Sequence, residues 1–157
     1  MNRILTERHG NVLVIELNRP EKKNAADLEL LHQLSLAYGE LDRDPDLRVG
    51  VVVAAGGDFT SGLDLADIAP RIVDGRLPLV AGGGCDPWRM GNGPECHKPV
   101  VVAIHGLCLT LGIELAAASD VVIAADTARF GQIEVARGIL PFGGATLRLP
   151  RRIDRKS

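Results

Sequence analysis

Two glutamates are the first candidates for chemistry in this sequence. Glu114 lies within a nearly all apolar or small stretch between Val100 and Ala125, and Glu134 follows it twenty positions later. A buried carboxylate without a partner is costly or takes a raised pKa, so it needs either compensating donors or a role as an acid or base. Two carboxylates at one site can divide acid and base roles when their environments separate their pKa values. Spacing alone leaves open whether these two meet.

Backbone N–H groups are the second candidate. The segment GGDFTSGLDL (56–65) follows a predicted parallel strand, at the end of a sheet where open α/β folds bind ligands. Taken alone, this loop favours a plain turn. A helix is predicted to begin at Leu111, and the first N–H groups of a helix have no partner inside it. One N–H from Gly62-Leu63 and one from Leu111 could together hold a carbonyl oxygen that gains negative charge, at about 3 to 4 kcal/mol per donor.

The hydrophobic pattern predicts the elements that would position these groups. Short strands at 4–8 and 12–17 flank a turn and form a hairpin. Asp27 is a good N-cap for an amphipathic helix that runs to about Asp42. The apolar run 50–55 has the length and composition of a strand covered on both faces. Strand, helix and strand form a right-handed βαβ unit.

The second half of the chain predicts another such unit. A strand at 100–105, a turn at 106–109, a helix at 111–119 that Thr110 can cap, and a strand at 121–125 follow one another. The two similar units favour an α/β fold with a repeated or spiral arrangement.

The stretch 69–98 between the two units is rich in glycine and proline and leaves room only for a short helix at 66–73. Trp88, the single tryptophan, lies in this stretch. It could cover an apolar ligand, or it could simply anchor the loop.

Composition narrows the function classes. With 157 residues, of which 46% are hydrophobic, the chain is expected to form one domain over 1–157. A net charge of −2 argues against nucleic acid or an anionic membrane as a partner. Three cysteines without a CxxC pair indicate a reducing compartment, hence the cytoplasm, and suggest no metal site. We expect no signal peptide, and the charged residues within 99–125 make a membrane span improbable.

Several segments, in their order and spacing, resemble the crotonase (enoyl-CoA hydratase/isomerase) family over almost the whole chain. The matching segments are NRPEKKNA (18–25), GGDFTSGLDL (56–65), KPVVVAIHG (98–106), LGIELAAASDVVIAADTARFGQIEVARGILP (111–141) and GGATLRLPR (143–151).

The resemblance implies a crotonase-like spiral of ββα units that binds an acyl-CoA. It implies that the N–H groups of Leu63 and Leu111 form an oxyanion hole for the thioester. Glu114 and Glu134 match the paired glutamates of the hydratases, which add water across the 2,3 double bond of an enoyl-CoA. The positions that match the CoA groove of the family are Lys22, Asn24, Ala25, Ser61, Leu63, Asp64, Leu65, Leu107, Leu111 and Gly112.

The resemblance also carries wider expectations. The reaction would need no cofactor, since coenzyme A is part of the substrate, and would serve fatty acid metabolism. A homotrimer or hexamer is expected if the fold is complete. For Lys22 and its neighbour Lys23, contact with CoA phosphates and a solvated loop are equally supported.

Three departures from the family pattern bear on function. Thr110-Leu111-Gly112 stands where many relatives have three glycines, so the Leu111 side chain is expected to narrow or redirect the acyl pocket. Ile133 replaces a proline before Glu134, which is then less rigidly aimed. Relatives continue past this point into a helical region, so a shortened chain is expected to leave apolar surface uncovered, with poor solubility, altered assembly or dependence on another chain.

Three functions therefore compete. The first is an enoyl-CoA hydratase, a lyase that uses both glutamates. The second is an isomerase or hydrolase that acts on another acyl-CoA on the same scaffold. The third is a truncated, non-catalytic protein that is inert or only binds acyl-CoA or an assembly partner.

Overall fold

The computed structural model describes residues 2–72 and 78–152. Val73, the predicted end of the short helix, and residues 153–157 of the basic tail lie outside these ranges. The strands are β1 (Ile4–His9), β2 (Val12–Leu17), β3 (Val49–Ala54), β4 (Val100–Ile104), β5 (Leu107–Leu109), β6 (Val121–Ala124) and β7 (Arg129–Gly131). The helices are α1 (Leu28–Arg43), α2 (Leu65–Ile68), α3 (Leu111–Ala118) and α4 (Ala145–Arg152).

The first βαβ unit is confirmed. Strands β1 and β2 form an antiparallel hairpin around Gly10, whose φ of 61° suits a tight turn. Helix α1 begins where Asp27 accepts a hydrogen bond from the Leu30 N–H at 2.9 Å. Its buried face includes Leu31 and Leu34. Strand β3 then returns parallel to β2, as a βαβ unit requires.

The main sheet has five strands in the order β1-β2-β3-β4-β6, and every pairing after the hairpin is parallel. A smaller parallel sheet joins β5 to β7, and a bridge adds Thr60 beside Cys108 of β5. From β3 onward, each strand of the main sheet is therefore followed by a short strand or bridge of the smaller sheet and then by a helical segment. This is a repeated ββα order.

Two parts of the prediction need correction. Residues 107–109, predicted as part of a turn, form β5, and three residues are too few to show the alternation that marks a strand. Strand β3 is not covered on both faces, because buried and half-buried residues alternate along most of it. All four residues of β6 are exposed, including Ile123 at 59%, so an apolar run here does not mean a buried strand.

Trp88 anchors the irregular stretch between the two units. Its side chain is 1% exposed, and its indole N–H donates to the backbone oxygen of Leu111 at 3.2 Å. The buried carboxylate of Asp86 accepts hydrogen bonds from the backbone N–H groups of Trp88, Met90 and Asn92, which closes the loop around the indole. The anchoring role, one of the two alternatives for Trp88, is therefore the one that the fold shows.

The three cysteines, Cys85, Cys96 and Cys108, are buried thiols that form no disulfide. Within the described ranges, no group of His, Cys, Asp and Glu side chains is arranged to hold a metal ion. No helix in the same ranges has both the length and the apolar character needed to cross a membrane.

Gly106 lies where the loop after β4 meets the loop after β3. Its φ is 57°, and an added Cβ would lie 2.0 Å from the backbone oxygen of Gly57. Because both strain and overlap result, we expect Gly106→Ala to lower the free energy of unfolding by at least about 2 kcal/mol in urea titrations. Gly57→Ala is the matched control, since its Cβ would meet nothing within 4 Å. Equal stability of the two variants would contradict the predicted contact between the loops.

Candidate active site

Glu114 lies in the first turn of α3 and is 1% exposed. Its Oε1 accepts a hydrogen bond from the backbone N–H of Ala145, at 3.0 Å, where α4 begins. Burial raises the pKa of Glu114, and the negative charge of Glu134 adds to this effect. The backbone N–H groups of Ala145 and Gly143 and the positive charge of Arg148 act in the opposite direction. The carboxyl of Glu114 is thus shielded from solvent, yet nearby N–H groups and a positive charge stabilise its ionised form.

Glu134 begins a short 3-10 turn, Glu134–Arg137, and is also buried. Its Oε1 accepts a hydrogen bond from the Gln132 side-chain N–H at 2.7 Å. Its Oε2 and the side-chain oxygen of Gln132 are buried, and neither meets a donor in residues 2–72 or 78–152. Buried oxygens in proteins nearly always accept hydrogen bonds, so these two mark a place where a donor belongs.

The structure brings the two glutamates to one cavity of about 60 Å³, which is large enough for a water molecule. Its other lining residues are mostly apolar, and Leu111 and Ile133, the two positions that depart from the family pattern, are among them. The full lining is Ser61, Leu63, Leu65, Thr110, Leu111, Glu114, Ile133, Glu134, Arg137, Ile139 and Phe142.

The N–H groups of Leu63 and Leu111 remain available at this cavity. A β-bridge pairs Ala26 with the loop after β3. In this bridge the Ala26 N–H donates to the Gly62 oxygen and the Asp64 N–H donates to the Ala26 oxygen. The Leu63 N–H between them has no acceptor in the described part of the chain. Leu111 is the first residue of α3, and its N–H likewise donates to nothing in the described part of the chain. The two residues with free N–H groups and the two glutamates therefore line the same cavity.

The approach of the two loops depends on a glycine and a strained threonine. Gly62 has a φ of 94°, and an added Cβ would lie 2.0 Å from Thr110 Oγ1. Thr110 itself has a φ of 47°, and its side chain does not cap α3, contrary to the prediction. A residue other than glycine rarely takes such a φ, so surrounding contacts must hold Thr110 there. This strained turn immediately precedes Leu111, the first residue of α3.

Asn24 has a different place from the one predicted. It is fully buried, its amide N–H groups donate to the Ala55 and Asp58 oxygens at 2.9 Å, and its side-chain oxygen accepts from the Arg19 N–H. Both donors and the acceptor are already used. This placement gives no support for direct contact with a ligand, and Asn24 instead ties two loops together beneath the groove.

The other predicted groove residues divide into two sets. Ser61, Leu63, Leu65 and Leu111 line the cavity, whereas Leu107 and Gly112 do not. Asp64 is engaged by Arg19, whose guanidinium donates to it at 2.8 Å, and this hydrogen bond lowers the pKa of Asp64. Ala25 is half-buried and accepts a hydrogen bond from Arg19, while Lys22 is exposed at the end of a 3-10 turn.

Sequence reasoning missed the residues that hold the two glutamates. Nothing in a lone glutamine two positions before Glu134 predicts the hydrogen bond from Gln132 to that glutamate. Gly143 and Ala145 belong to a segment that supported the resemblance, but their sequence carries no signal that they contact a residue some thirty positions earlier. Arg148 likewise reads as an ordinary charge on a helix.

The chain matches the family described as Enoyl-CoA hydratase/isomerase over residues 7–157. Among curated proteins, it is 36% identical over 151 residues to a mevalonyl-coenzyme A hydratase from Beauveria bassiana, covering 93% of this chain and 54% of the relative. It is 36% identical over 155 residues to a probable enoyl-CoA hydratase from Mycobacterium bovis, covering 97% and 57%. The chain spans a little over half the length of these curated relatives.

Comparison with solved structures identifies the fold. A crystal structure of a probable enoyl-CoA hydratase/isomerase from Mycobacterium abscessus superposes with a TM-score of 0.89 and 52% sequence identity. The match covers 95% of this chain and 56% of the other. The expected crotonase-like fold is thereby confirmed, and the chain belongs to the enoyl-CoA hydratase/isomerase family.

Proposed function

We propose that this site hydrates a 2-enoyl-CoA, the reaction of a lyase. One observation carries the proposal: Glu114, Glu134 and the residues with free N–H groups, Leu63 and Leu111, all line one cavity. The names of the relatives support the same reaction class, since they describe hydratases of CoA thioesters.

In the proposed reaction, the N–H groups of Leu63 and Leu111 bind the thioester oxygen of the substrate. They stabilise the negative charge that this oxygen gains when C3 is attacked. A water oxygen bonds to C3 as the 2,3 double bond breaks. One glutamate takes a proton from the water, and the other gives its own proton to C2, so that water is added with no net change in charge.

The proposed mechanism needs one glutamate as base and the other as acid. Two carboxyls at one site can divide these roles when their environments differ. Burial raises the pKa of Glu114, which makes its carboxylate a stronger base, and the Ala145 N–H orients that carboxylate, so we assign the base role to Glu114. Glu134 is then the acid that protonates C2.

The attacking water is proposed to lie in the cavity that both glutamates line, which has room for one water molecule. The buried Glu134 Oε2 also needs a donor, which a water could supply. A water that donates to one glutamate while it is held by its neighbours is oriented before the substrate arrives.

The proposal extends to binding and context. Ser61, Leu65 and the exposed Lys22 would contact coenzyme A, whose phosphates attract a cation. The reaction needs no cofactor, because the carboxyls and backbone N–H groups supply the acid, base and electrophilic functions. We further propose a cytoplasmic homotrimer or hexamer that acts in fatty acid metabolism.

We expect Glu114→Gln and Glu134→Gln each to lower kcat for hydration of crotonyl-CoA by about 10²-fold or more, because each removes one proton-transfer group. Loss of enoyl absorbance gives the rate, and calorimetry with a saturated acyl-CoA shows that binding remains. Glu40→Gln, an exposed carboxyl on α1, is the control. Full activity in either site variant would contradict the proposal, as would a folded wild-type chain that binds CoA esters but turns over no chain length.

Product analysis separates the competing functions. A shifted double bond would identify an isomerase, and free coenzyme A would identify a hydrolase. Binding of acyl-CoA without any product, unaffected by both glutamine substitutions, would identify the non-catalytic protein.

The Leu111 N–H can be tested by itself, because proline is tolerated in the first turn of a helix and lacks this donor. We expect Leu111→Pro to lower kcat by about 10²- to 10³-fold relative to Leu111→Ala. The alanine variant loses the same side chain but keeps the N–H, so it is the matched control. Near-ultraviolet circular dichroism checks the fold of both variants, and equal rates in two folded variants would exclude this N–H from catalysis.

A further inference from the structure

We propose that Arg148 is the positioning residue that aims the carboxyl of Glu114. The inference deepens the proposed function and depends on it for its catalytic meaning. The inference rests on the contacts of Arg148 with two loops and on the start of α4. Arg148 itself does not line the cavity.

Arg148 projects from α4 and joins two separate backbone segments. Its Nη1–H donates to the Gly143 oxygen at 2.8 Å, and its Nη2–H donates to the Arg89 oxygen at 3.1 Å. A guanidinium presents its donors in a rigid fork, so two such bonds fix the two segments relative to each other. One segment is the turn before α4, and the other is the loop that Asp86 and Trp88 anchor.

The turn that Arg148 holds is in direct contact with Glu114. An added Cβ on Gly143 would lie 2.7 Å from Glu114 Oε2 and 2.8 Å from the Trp88 ring. The next part of the same turn supplies the Ala145 N–H that donates to Glu114 Oε1. A displacement of this turn would therefore move both the carboxyl and its hydrogen-bond donor.

Three charged groups surround the Glu114 carboxyl. Glu134 faces it from the 3-10 turn, Arg148 approaches from α4, and Arg137 lines the same cavity. Arg137 is exposed, so water screens its charge, whereas Arg148 is half-buried. Burial and the charge of Glu134 raise the pKa of Glu114, whereas the charge of Arg148 lowers it. Removal of Arg148 should therefore raise the pKa of Glu114 further.

The chain offers a matched control one turn further along α4. Arg152 has the same charge, and its Nη1–H donates to the Ser119 oxygen at 3.1 Å, at the end of α3. Neither the Gly143 turn nor the Arg89 segment is among its hydrogen-bond partners. Loss of Arg152 therefore reports the general effect of removing a cation and one backbone contact from this helix.

The test follows the Glu114 carboxyl by carbon NMR during a pH titration, with Glu114→Gln used to assign its signal. We expect Arg148→Gln to shift the titration midpoint upward, and Arg152→Gln to leave it at the wild-type value. Equal midpoints in all three folded proteins would overturn the proposal. This readout needs no turnover, so an inactive chain would count against the proposed hydratase and not against the role of Arg148.

A second variant covers the case in which Arg148→Gln fails to fold. Arg148→Lys keeps the charge but replaces the rigid fork of two nitrogens by a single nitrogen on a shorter side chain, so we expect a smaller upward shift. A wild-type midpoint in this variant would also overturn the proposal. If the wild-type chain hydrates crotonyl-CoA, Arg148→Gln should lower kcat by about 10- to 100-fold with little change in KM, and should move the acidic limb of the kcat/KM profile to higher pH.

Discussion

The hydrogen bond from the Ala145 N–H to Glu114 is the constraint around which the site is built. A carboxylate with 1% exposure inside an apolar helix would be unstable without donors, and no side chain of α3 supplies one. The donor comes instead from the first residue of another helix, where N–H groups are free and the helix dipole favours a negative charge. The contact that packs α4 against α3 therefore also stabilises the ionised form of Glu114.

The same logic explains the two backbone donors. Leu63 lies in a loop beyond β3 and Leu111 at the start of α3, and each follows a residue with a positive φ, Gly62 or Thr110, which approach each other closely. Asn24 stabilises this region from below through three hydrogen bonds to the backbone. The strain at Thr110 is local, and the surrounding hydrogen bonds offset it.

The larger elements could be predicted because each has a local signal. The hairpin, α1 with its Asp27 cap, β3, β4, α3 and β6 fall within about two residues of their predicted bounds, since periodicity and capping act over a few neighbouring positions. Strands β5 and β7 have three residues each and leave no such pattern. The exposure of β6 was also unpredictable, because an apolar sequence does not show whether another element packs against the strand.

The sequence indicated the two glutamates of the candidate site but not the residues that hold them. Glu114 was conspicuous because a charge in apolar surroundings is unusual, and its meeting with Glu134 was a reasonable expectation from the resemblance. The supports were not visible, because Gln132, Gly143 and Arg148 act through single tertiary contacts that no spacing rule encodes. The burial of Asn24 was missed for the same reason, since its bonds to Arg19, Ala55 and Asp58 are tertiary contacts that its neighbours in sequence do not indicate.

The attachment of α4 has a consequence for how the protein loses function on heating. The contacts that hold α4 to the rest of the fold include the bonds of Ala145, Arg148 and Arg152 described above, and five of its eight residues, including Leu147 at 60%, are exposed. Segments with few buried contacts open by local fluctuation well before the whole domain unfolds. Detachment of this one helix would leave the main sheet intact while removing the Ala145 donor of Glu114, so the geometry of the candidate site would be lost first and regained on cooling without refolding of the core.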